Sequence, residues 1–594
     1  MRKMKWQRKL LSLFLVLCIA IQGAGCSSLK KTLQEFQERN VDRESEQQKF
    51  EDFIQQLFLE DVQSDSITLH YTLTKPENYG IENFTPTFGS YGADTAREEL
   101  VTAENHYQTL TGFAYTALTK DQQLVYDILK DYLKPDEDAE AFIYYGEALG
   151  CTTGLQAQLP ILLAEYHFYR KKDVTDYLAL LPQITTYYAQ IEQYEKEKSQ
   201  LGLFMSDRIA DRIISQCDDF IKTPEKNVLI ASFEEKIEKV PDLTKEEKQE
   251  FIKQNKEAVY DYVIPAYESL SKTLTQLKGT GTNTGGICHL ENGKKYYEKL
   301  AQSTTGSSKS IKEMKRALDT TSKQALIHMD RFSTQDPDIY NKFFDMEFPK
   351  KDPNEILKYL EETIQKDFPG LTDVTYGIKY VDESMEDYLS PAFYLTPPID
   401  HSGTNSIYIN GSKDNDLTKI FPTLAHEGYP GHLLQNVYFA QKNPSPIRAL
   451  LNYGGYSEGW ATYCENYSYG ISEVDDNVAS FAKHYNVFSL CLYASIDIGV
   501  NYDGWSLEEL QDYLTDYGIS NASVAQEIFD IVVDDPANYL QYVIGYIEFE
   551  ELRKTAEKEL GDNFNTKEFH TFLLDMGPAP FSVIEQYMED WMKQ

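Results

Sequence analysis

Residues 426 to 432 read His-Glu-Gly-Tyr-Pro-Gly-His, and this segment restricts the fold more than any other part of the chain. His426 and His432 stand six residues apart, which on a regular α-helix turns their side chains about 240° away from each other. Both imidazoles can face one point only if the helix is interrupted between them. Pro430 removes a backbone donor, and Gly428 and Gly431 permit irregular backbone, so the sequence predicts a break at this place.

The same segment supplies the donors of a zinc site. Catalytic zinc is bound by imidazole nitrogens and a carboxylate, keeps one position open for water, and works with a nearby base. We therefore predict that His426, His432 and Glu458 bind one zinc ion and that Glu427 acts as the base. Glu465 lies seven residues after Glu458 and shares its helix face, so we expect it to support the ligands.

The alternative interpretation is an ordinary Gly-Pro loop flanked by two unrelated histidines. For any isolated pair of histidines this alternative is favoured. However, the chain contains only ten histidines in 594 residues, and two of them surround a glutamate beside a Gly-Tyr-Pro-Gly insertion. A second carboxylate, Glu458, follows within a short distance, so the metal interpretation is preferred.

With these motifs the chain resembles the bacterial proteins catalogued as domain of unknown function 885, which look like distant relatives of the gluzincin metallopeptidases. The resemblance covers nearly the whole mature chain. It implies a mostly helical zinc peptidase, similar in plan to the thermostable carboxypeptidases and the angiotensin-converting-enzyme-like peptidases. In those relatives the second histidine follows four positions after the first, rather than six. The segments that carry the resemblance are Gly154–Pro160, Asn292–Tyr297, Ser303–Gly306, His426–His432, Glu458–Tyr463, Tyr542–Gly545 and Phe569–His570.

Amide hydrolysis builds negative charge on the carbonyl oxygen, and a positioned hydrogen-bond donor stabilises that charge. The segment Asp535–Gly545 resembles the part of the helical carboxypeptidases that presents a tyrosine, which corresponds here to Tyr542. His570 is the second choice for this catalytic role. With 43 tyrosines in the chain, most tyrosines must simply pack or lie at the surface.

Upstream of the histidines, residues 404–410 alternate apolar and polar side chains between two glycines, which predicts a short strand. Residues 374–381 are its expected partner. The strand either offers an open edge to the backbone of a peptide or only stabilises a small sheet.

The coarse pattern is mainly α. Long amphipathic stretches predict a large, multi-lobed helical metallopeptidase-like body over residues 49–594, with a small antiparallel sheet beside the metal helix. The Gly/Thr/Asn-rich segment 279–286 cannot remain helical and is the expected lobe boundary or mobile loop. The stretches lie near residues 172–200, 203–222, 243–277, 309–330, 473–500 and 536–560.

The first 25 residues combine five basic residues with a short apolar run, which is typical of a secretory signal. The signal ends in Gly-Ala-Gly before Cys26, which resembles a bacterial lipobox in which Cys26 is lipidated. Residues 26–48 then form a polar tether, and the protein is extracytoplasmic and anchored to the membrane by lipid. The alternative is cleavage and secretion without an anchor.

Charge and cysteine content exclude several classes of function. Removal of the signal changes the formal net charge from −37 to −42, so nucleic-acid partners are not expected. The five remaining cysteines show no close spacing, which disfavours a thiolate metal site or a framework of disulfides.

These observations favour a zinc-dependent peptidase, of exopeptidase or oligopeptidase type, that acts on short or unfolded peptides. A catalytically inert surface lipoprotein that binds peptides or cell-wall material would have the same helical body without a competent metal site. A zinc amidohydrolase acting on non-peptide amides would use identical metal chemistry. The sequence leaves oligomeric state open.

Overall fold

Helices dominate the computed structural model, which describes residues 42–593 except 242, 382–385, 387–389 and 414. The predicted signal peptide, Cys26 and residues 26–41 of the predicted tether lie outside the described residues. Across the described residues, no helix combines the length and the apolar character needed to cross a bilayer. The five cysteines from Cys151 onwards are all free.

The described part contains the following α-helices. They are α1 (Arg43–Val62), α2 (Ser66–Thr72), α3 (Ala93–Thr111), α4 (Lys120–Tyr132), α5 (Leu155–Glu165), α6 (Lys171–Leu180), α7 (Ile184–Gln200), α8 (Asp207–Ile221), α9 (Val228–Glu238), α10 (Lys245–Ala258), α11 (Ile264–Leu277), α12 (Gly293–Thr305), α13 (Ile311–Gln335), α14 (Ile339–Phe344), α15 (Pro353–Thr363), α16 (Phe421–Glu427), α17 (His432–Gln441), α18 (Gly454–Ser468), α19 (Asp476–Ile498), α20 (Leu507–Asp516), α21 (Ala522–Asp534), α22 (Asn538–Leu560), α23 (Thr566–Met576) and α24 (Phe581–Trp591).

The mainly helical prediction is confirmed, and each long amphipathic stretch corresponds to one or two helices. The stretch near 172–200 is divided into α6 and α7, because Pro182 cannot donate the hydrogen bond that would continue the helix. The segment 279–286 is a loop between α11 and α12. Its role as a lobe boundary stays a prediction.

The chain divides into two compact units. In the smaller unit, residues 42–58 and 101–135, the ring of Phe50 meets that of Phe113 edge to face at 5.3 Å. Here Gln47 donates to the Ala117 carbonyl at 2.8 Å, and Glu46 accepts from the Ala114 amide at 2.8 Å. Residues 43–48 are therefore the start of α1 and are bound to the rest of the smaller unit.

The larger unit comprises residues 59–100 and 136–593 and contains one small sheet. Its strands are β1 (Thr375–Tyr380), β2 (Ala392–Leu395) and β3 (Thr404–Ile409), in the order β1-β3-β2. The expected pairing of the 374–381 and 404–410 segments is confirmed. However, this pair is parallel and only the β2–β3 pair is antiparallel, so the sheet is mixed.

The mixed pairing arises because the chain reverses direction after β1 and again after β2. As a result β3 is the central strand, and the prediction that it offers an open edge is wrong. The strand at the edge, and in contact with α16, is β2. Its four residues are too short a run to be recognised by alternation.

Helices α18 and α22 cross with their backbones in contact, and this contact positions two side chains used below. A side chain at Gly459 would come within 2.4 Å of the Gly545 carbonyl carbon, and one at Gly545 within 2.1 Å of the Gly455 carbonyl oxygen. Only glycine permits this approach. Glu458 precedes Gly459, and Tyr542 lies almost one turn before Gly545, so the crossing brings Glu458 and Tyr542 together.

We predict that Gly459→Ala lowers the free energy of unfolding by about 1–3 kcal/mol, because the added methyl group forces two packed helices apart. Gly470→Ala is the matched control, since no atom lies within 4 Å of the position its methyl group would take. Chemical denaturation followed by circular dichroism measures both. Equal stabilities for the two variants would contradict the proposed tight crossing.

Candidate metal centre

The helix is interrupted between the two histidines, as the spacing predicts. Helix α16 ends at Glu427, α17 begins at His432, and the intervening segment contains a cis Tyr429–Pro430 peptide bond. The Gly431 amide donates to the Ala425 carbonyl at 2.9 Å. A side chain at Gly431 would lie 1.8 Å from the His426 carbonyl oxygen, so a glycine is required there.

The break is held in place from α18. The indole Nε1 of Trp460 donates to the Pro430 carbonyl at 3.0 Å, and the Cys464 thiol lies 3.4 Å from the same oxygen. Both side chains are fully buried. This bond joins α18, which carries Glu458, to the segment between α16 and α17. It therefore fixes the position of Glu458 relative to the two histidines. This role of Trp460 was not predicted from the sequence, although the residue stands two positions after Glu458.

The three predicted ligands converge. One donor atom each from His426, His432 and Glu458 lies within 4.8 Å of the other two. The Glu458 Oε2 atom is 3.5 Å from Nε2 of each histidine. The two imidazole rings are 4.9 Å apart and nearly perpendicular, at 83°. Their side chains and that of Glu458 retain between 12 and 24% exposure, so solvent reaches the site.

This geometry can be compared with what zinc requires. Donors at about 2.0–2.1 Å in a tetrahedron are separated by roughly 3.3–3.4 Å. The two separations of 3.5 Å between Glu458 Oε2 and the histidine Nε2 atoms are within a small adjustment of that value. Two nitrogens and one carboxylate oxygen are also the donor types of catalytic zinc sites. The residues present therefore fit a zinc ion.

Glu465, which was predicted to support the ligands, contacts the site through His426. Its Oε2 atom lies 3.3 Å from His426 Nδ1, and its Oε1 atom accepts from the Asn486 amide at 3.0 Å. A carboxylate at Nδ1 favours the tautomer that keeps the proton there, which leaves Nε2 free as a donor atom. Asn486 on α19 was not anticipated, because nothing in its local sequence indicates which helix it faces.

The carboxylates of the cluster favour the protonated form of His426. Burial lowers the pKa of His426, but hydrogen bonds to Glu458 and Glu465 outweigh this effect and hold the pKa well above its usual range. Burial would raise the pKa of Glu458, but the charges of His432 and His426 hold it well below its usual range. A metal cation would take the place of that proton, so binding is expected to release protons.

Glu427 lies next to the cluster without belonging to it. Its Oε2 atom accepts from the Tyr394 amide of β2 at 2.9 Å. Burial raises the pKa of its carboxyl group, and the charges of His426 and His432 partly oppose this shift. The carboxylate therefore faces the same centre as the histidines while being oriented by the strand.

Tyr542 also lies beside the cluster. Its ring centre is 6.4 Å from that of His426. Burial raises the pKa of its hydroxyl, and the negative charges of Glu458 and Glu427 raise it further. The hydroxyl group is therefore protonated at neutral pH and able to donate a hydrogen bond.

The assignment of His570 as a catalytic residue is wrong. The side chain is fully buried, with Nδ1 at 2.6 Å from the Asp367 carbonyl and Nε2 at 2.9 Å from the Tyr463 hydroxyl. Its ring stacks on Phe368 at 4.1 Å. Burial lowers its pKa to about 4, so it is a neutral core residue with both nitrogens engaged. The sequence shows where His570 lies in the chain but not the direction in which its side chain points.

The chain belongs to the family described as Bacterial protein of unknown function (DUF885), whose model matches residues 78–588. No curated protein matches the chain significantly.

Solved structures show the same fold. A candidate lipoprotein from Colwellia psychrerythraea aligns with a TM-score of 0.80 at 20% identity, over 92% of this chain and 99% of that chain. A candidate lipoprotein of unknown function from Shewanella oneidensis aligns with a TM-score of 0.62 at 16% identity, over 90% of this chain and 99% of that chain. A candidate oligoendopeptidase F from Bacillus anthracis str. Ames reaches only 0.27 at 12% identity, over 84% of this chain and 96% of that chain, which is too low to indicate a common fold.

We predict that Glu465→Gln weakens zinc binding by about 10- to 100-fold, because the neutral amide no longer orients His426 or raises the basicity of its Nε2. Competition with a chromogenic chelator measures the affinity. Glu559→Gln removes an exposed carboxylate far along α22 and serves as the control. Unchanged affinity in Glu465→Gln would show that Glu465 does not tune the site.

Proposed function

We propose that this DUF885 protein is a zinc-dependent peptidase that hydrolyses short or unfolded peptides. The observation that carries the proposal is the convergence of His426, His432 and Glu458, with the carboxylate of Glu427 close enough to interact electrostatically with both histidines. This combination is what metal-assisted hydrolysis requires, namely a three-donor site with a separate base.

His426, His432 and Glu458 would hold the metal. When bound, a zinc ion polarises a carbonyl oxygen and lowers the pKa of a water molecule. Glu465 and Asn486 would keep His426 in the orientation and tautomer suited to binding. Trp460 would keep the two histidines at a fixed separation through its bond to Pro430.

Glu427 would move the protons. Because burial raises the pKa of its carboxyl group, Glu427 is a better proton acceptor than an exposed glutamate. It would take a proton from the attacking water and then give one to the amine that leaves. Its bond to the Tyr394 amide holds the carboxylate in position.

Tyr542 would stabilise the charge that develops on the carbonyl oxygen. Its hydroxyl group stays protonated in this environment, and its ring centre lies 6.4 Å from that of His426. A hydrogen bond of this kind contributes mainly in the transition state, where the oxygen is most negative.

A peptide is favoured as substrate because of the strand that faces the site. The Asn410 amide, directly after β3, donates to the Pro391 carbonyl, directly before β2. This bond determines which residues of β2 direct their backbone groups towards β3. Since bonding directions alternate in an antiparallel pair, the backbone groups of Ala392 and Tyr394 point away from β3. The Tyr394 amide at this edge is bound to Glu427, so an extended peptide would hydrogen-bond to the remaining outward-facing groups, namely the amide and carbonyl of Ala392 and the carbonyl of Tyr394, with affinity that does not depend on its side chains.

We predict that Glu427→Gln retains stoichiometric zinc and loses peptide hydrolysis by about 100- to 10,000-fold, because every ligand remains and only the base is removed. Zinc is measured by elemental analysis, and cleavage of a mixture of short peptides by mass spectrometry. Glu559→Gln should retain full activity.

Full activity in Glu427→Gln would refute the assigned base. Zinc binding without cleavage of any peptide by the wild-type protein would favour an inert binding protein. Cleavage restricted to non-peptide amides would favour an amidohydrolase.

The proposed location is outside the cytoplasm, with a lipid on Cys26 as the anchor. The support is the signal-like first 25 residues, together with the relatives from Colwellia psychrerythraea and Shewanella oneidensis that are named as candidate lipoproteins. We predict that Cys26→Ser moves the protein from the membrane fraction to the soluble extracytoplasmic fraction on immunoblots. A wild-type protein that is already soluble there would favour secretion without an anchor.

A further inference from the structure

A cavity of about 180 Å³, whose wall includes Asn436 one helical turn after His432, is not used in the chemistry described above. It lies between the segment that follows β2, one face of α17 and the turn after α17. We call it the Pro397 cavity. Its walls are apolar at Pro397, Ile399, Val437, Phe439, Ala440 and Pro446 and polar at other positions, including Tyr71 and Thr72 of α2, Ser402 and Asn436.

Two of its lining residues connect it to the site. Asn436 lines the cavity, lies one helical turn after His432 and donates to the His432 carbonyl at 2.9 Å. One turn advances about 5.4 Å along a helix. Thr396 also lines the cavity and follows two residues after Tyr394, whose amide binds Glu427. Two strand residues span roughly 6.4–6.8 Å.

These distances along α17 and after β2 are comparable with the spacing of side chains in a bound extended peptide. An extended peptide places successive side chains about 3.3 Å apart along its axis, on alternating faces. A side chain one or two residues from the bond being cleaved would therefore reach the Pro397 cavity.

The chemistry of the walls selects among side chains. No aspartate, glutamate or lysine is among the residues that line the cavity, and Arg448 is the one charged residue there. Arg448 is only 3% exposed, donates to the Met576 and Pro578 carbonyls and packs over the ring of Phe439 at 5.2 Å. A lysine or arginine side chain would lose its hydration in this cavity without gaining an anionic partner.

The volume suits one medium or large apolar side chain. A cavity of about 150 Å³ lined by apolar residues can hold a benzene molecule. The Pro397 cavity is slightly larger, so a phenylalanine or leucine side chain would fill it, whereas glycine would leave it empty.

We infer that the Pro397 cavity is a specificity subsite that receives an apolar side chain of the peptide substrate, within two residues of the cleaved bond, and rejects basic ones. This inference rests on the proposed function, since it assumes that a peptide is bound at the metal centre.

The test measures binding rather than cleavage. Zinc-loaded Glu427→Gln protein is titrated by calorimetry with peptides that differ at one position, which carries Gly, Leu, Phe, Glu or Lys in turn. We expect Phe and Leu peptides to bind roughly tenfold or more tightly than Gly peptides at one position. Lys at that position should bind no better than Gly.

Filling the cavity should remove this preference. Ala440→Trp, added to Glu427→Gln, places an indole in the cavity, and Ala449→Trp does the same from the following turn. Both should reduce the Phe-to-Gly ratio to about one while zinc stays bound. Ala231→Trp adds the same side chain to an exposed position of α9 and should leave the ratio unchanged.

The possible outcomes distinguish the subsite inference from the peptidase proposal. If Phe and Gly peptides bind equally at every position, if Glu is preferred to Phe, or if both folded tryptophan variants keep the preference, the subsite is overturned. If the preference appears and is lost on filling but wild-type protein cleaves none of the peptides, the subsite stands and the peptidase proposal fails.

Discussion

The structure of the site depends on a broken helix that is held in a fixed shape. The carbonyl of Pro430, exposed by the break between α16 and α17, accepts a hydrogen bond from the buried indole of Trp460. Without this bond the two histidines would have no defined separation, since Gly428 and Gly431 permit many backbone conformations. Because Trp460 and Glu458 belong to the same helix, one element fixes the break and supplies the third donor.

The same helix organises the rest of the site. Glu465, two turns after Glu458, reaches His426 Nδ1, and the glycines on another face let α22 approach closely enough to bring Tyr542. The strand β2 completes the arrangement by binding Glu427 through the Tyr394 amide. The proposed metal ligands, base and charge-stabilising group are thus positioned by backbone contacts and buried hydrogen bonds rather than by mobile loops.

Much of the geometry of the site was predictable from the sequence, because it follows from the spacing of residues along helices. The helix break, the convergence of His426, His432 and Glu458, and the support from Glu465 all derive from rotation angles along helices and from donor chemistry. The mainly helical fold follows from long amphipathic stretches.

The remainder depends on contacts between segments far apart in sequence. Strand β2 is too short to show a pattern, so the mixed sheet and the central position of β3 could not be foreseen. Burial alone decides that His570 packs against Phe368 instead of facing the metal centre. Asn486 and Trp460 acquire their roles only when their helices pack.

The most direct test of the central claim, that three donors surround one zinc ion, is X-ray absorption spectroscopy at the zinc edge of the zinc-loaded protein. The predicted result is a first shell of nitrogen and oxygen at about 2.0–2.2 Å with an imidazole signature of two histidines and no sulfur. A shell of sulfur at about 2.3 Å, or one with no imidazole contribution, would contradict it.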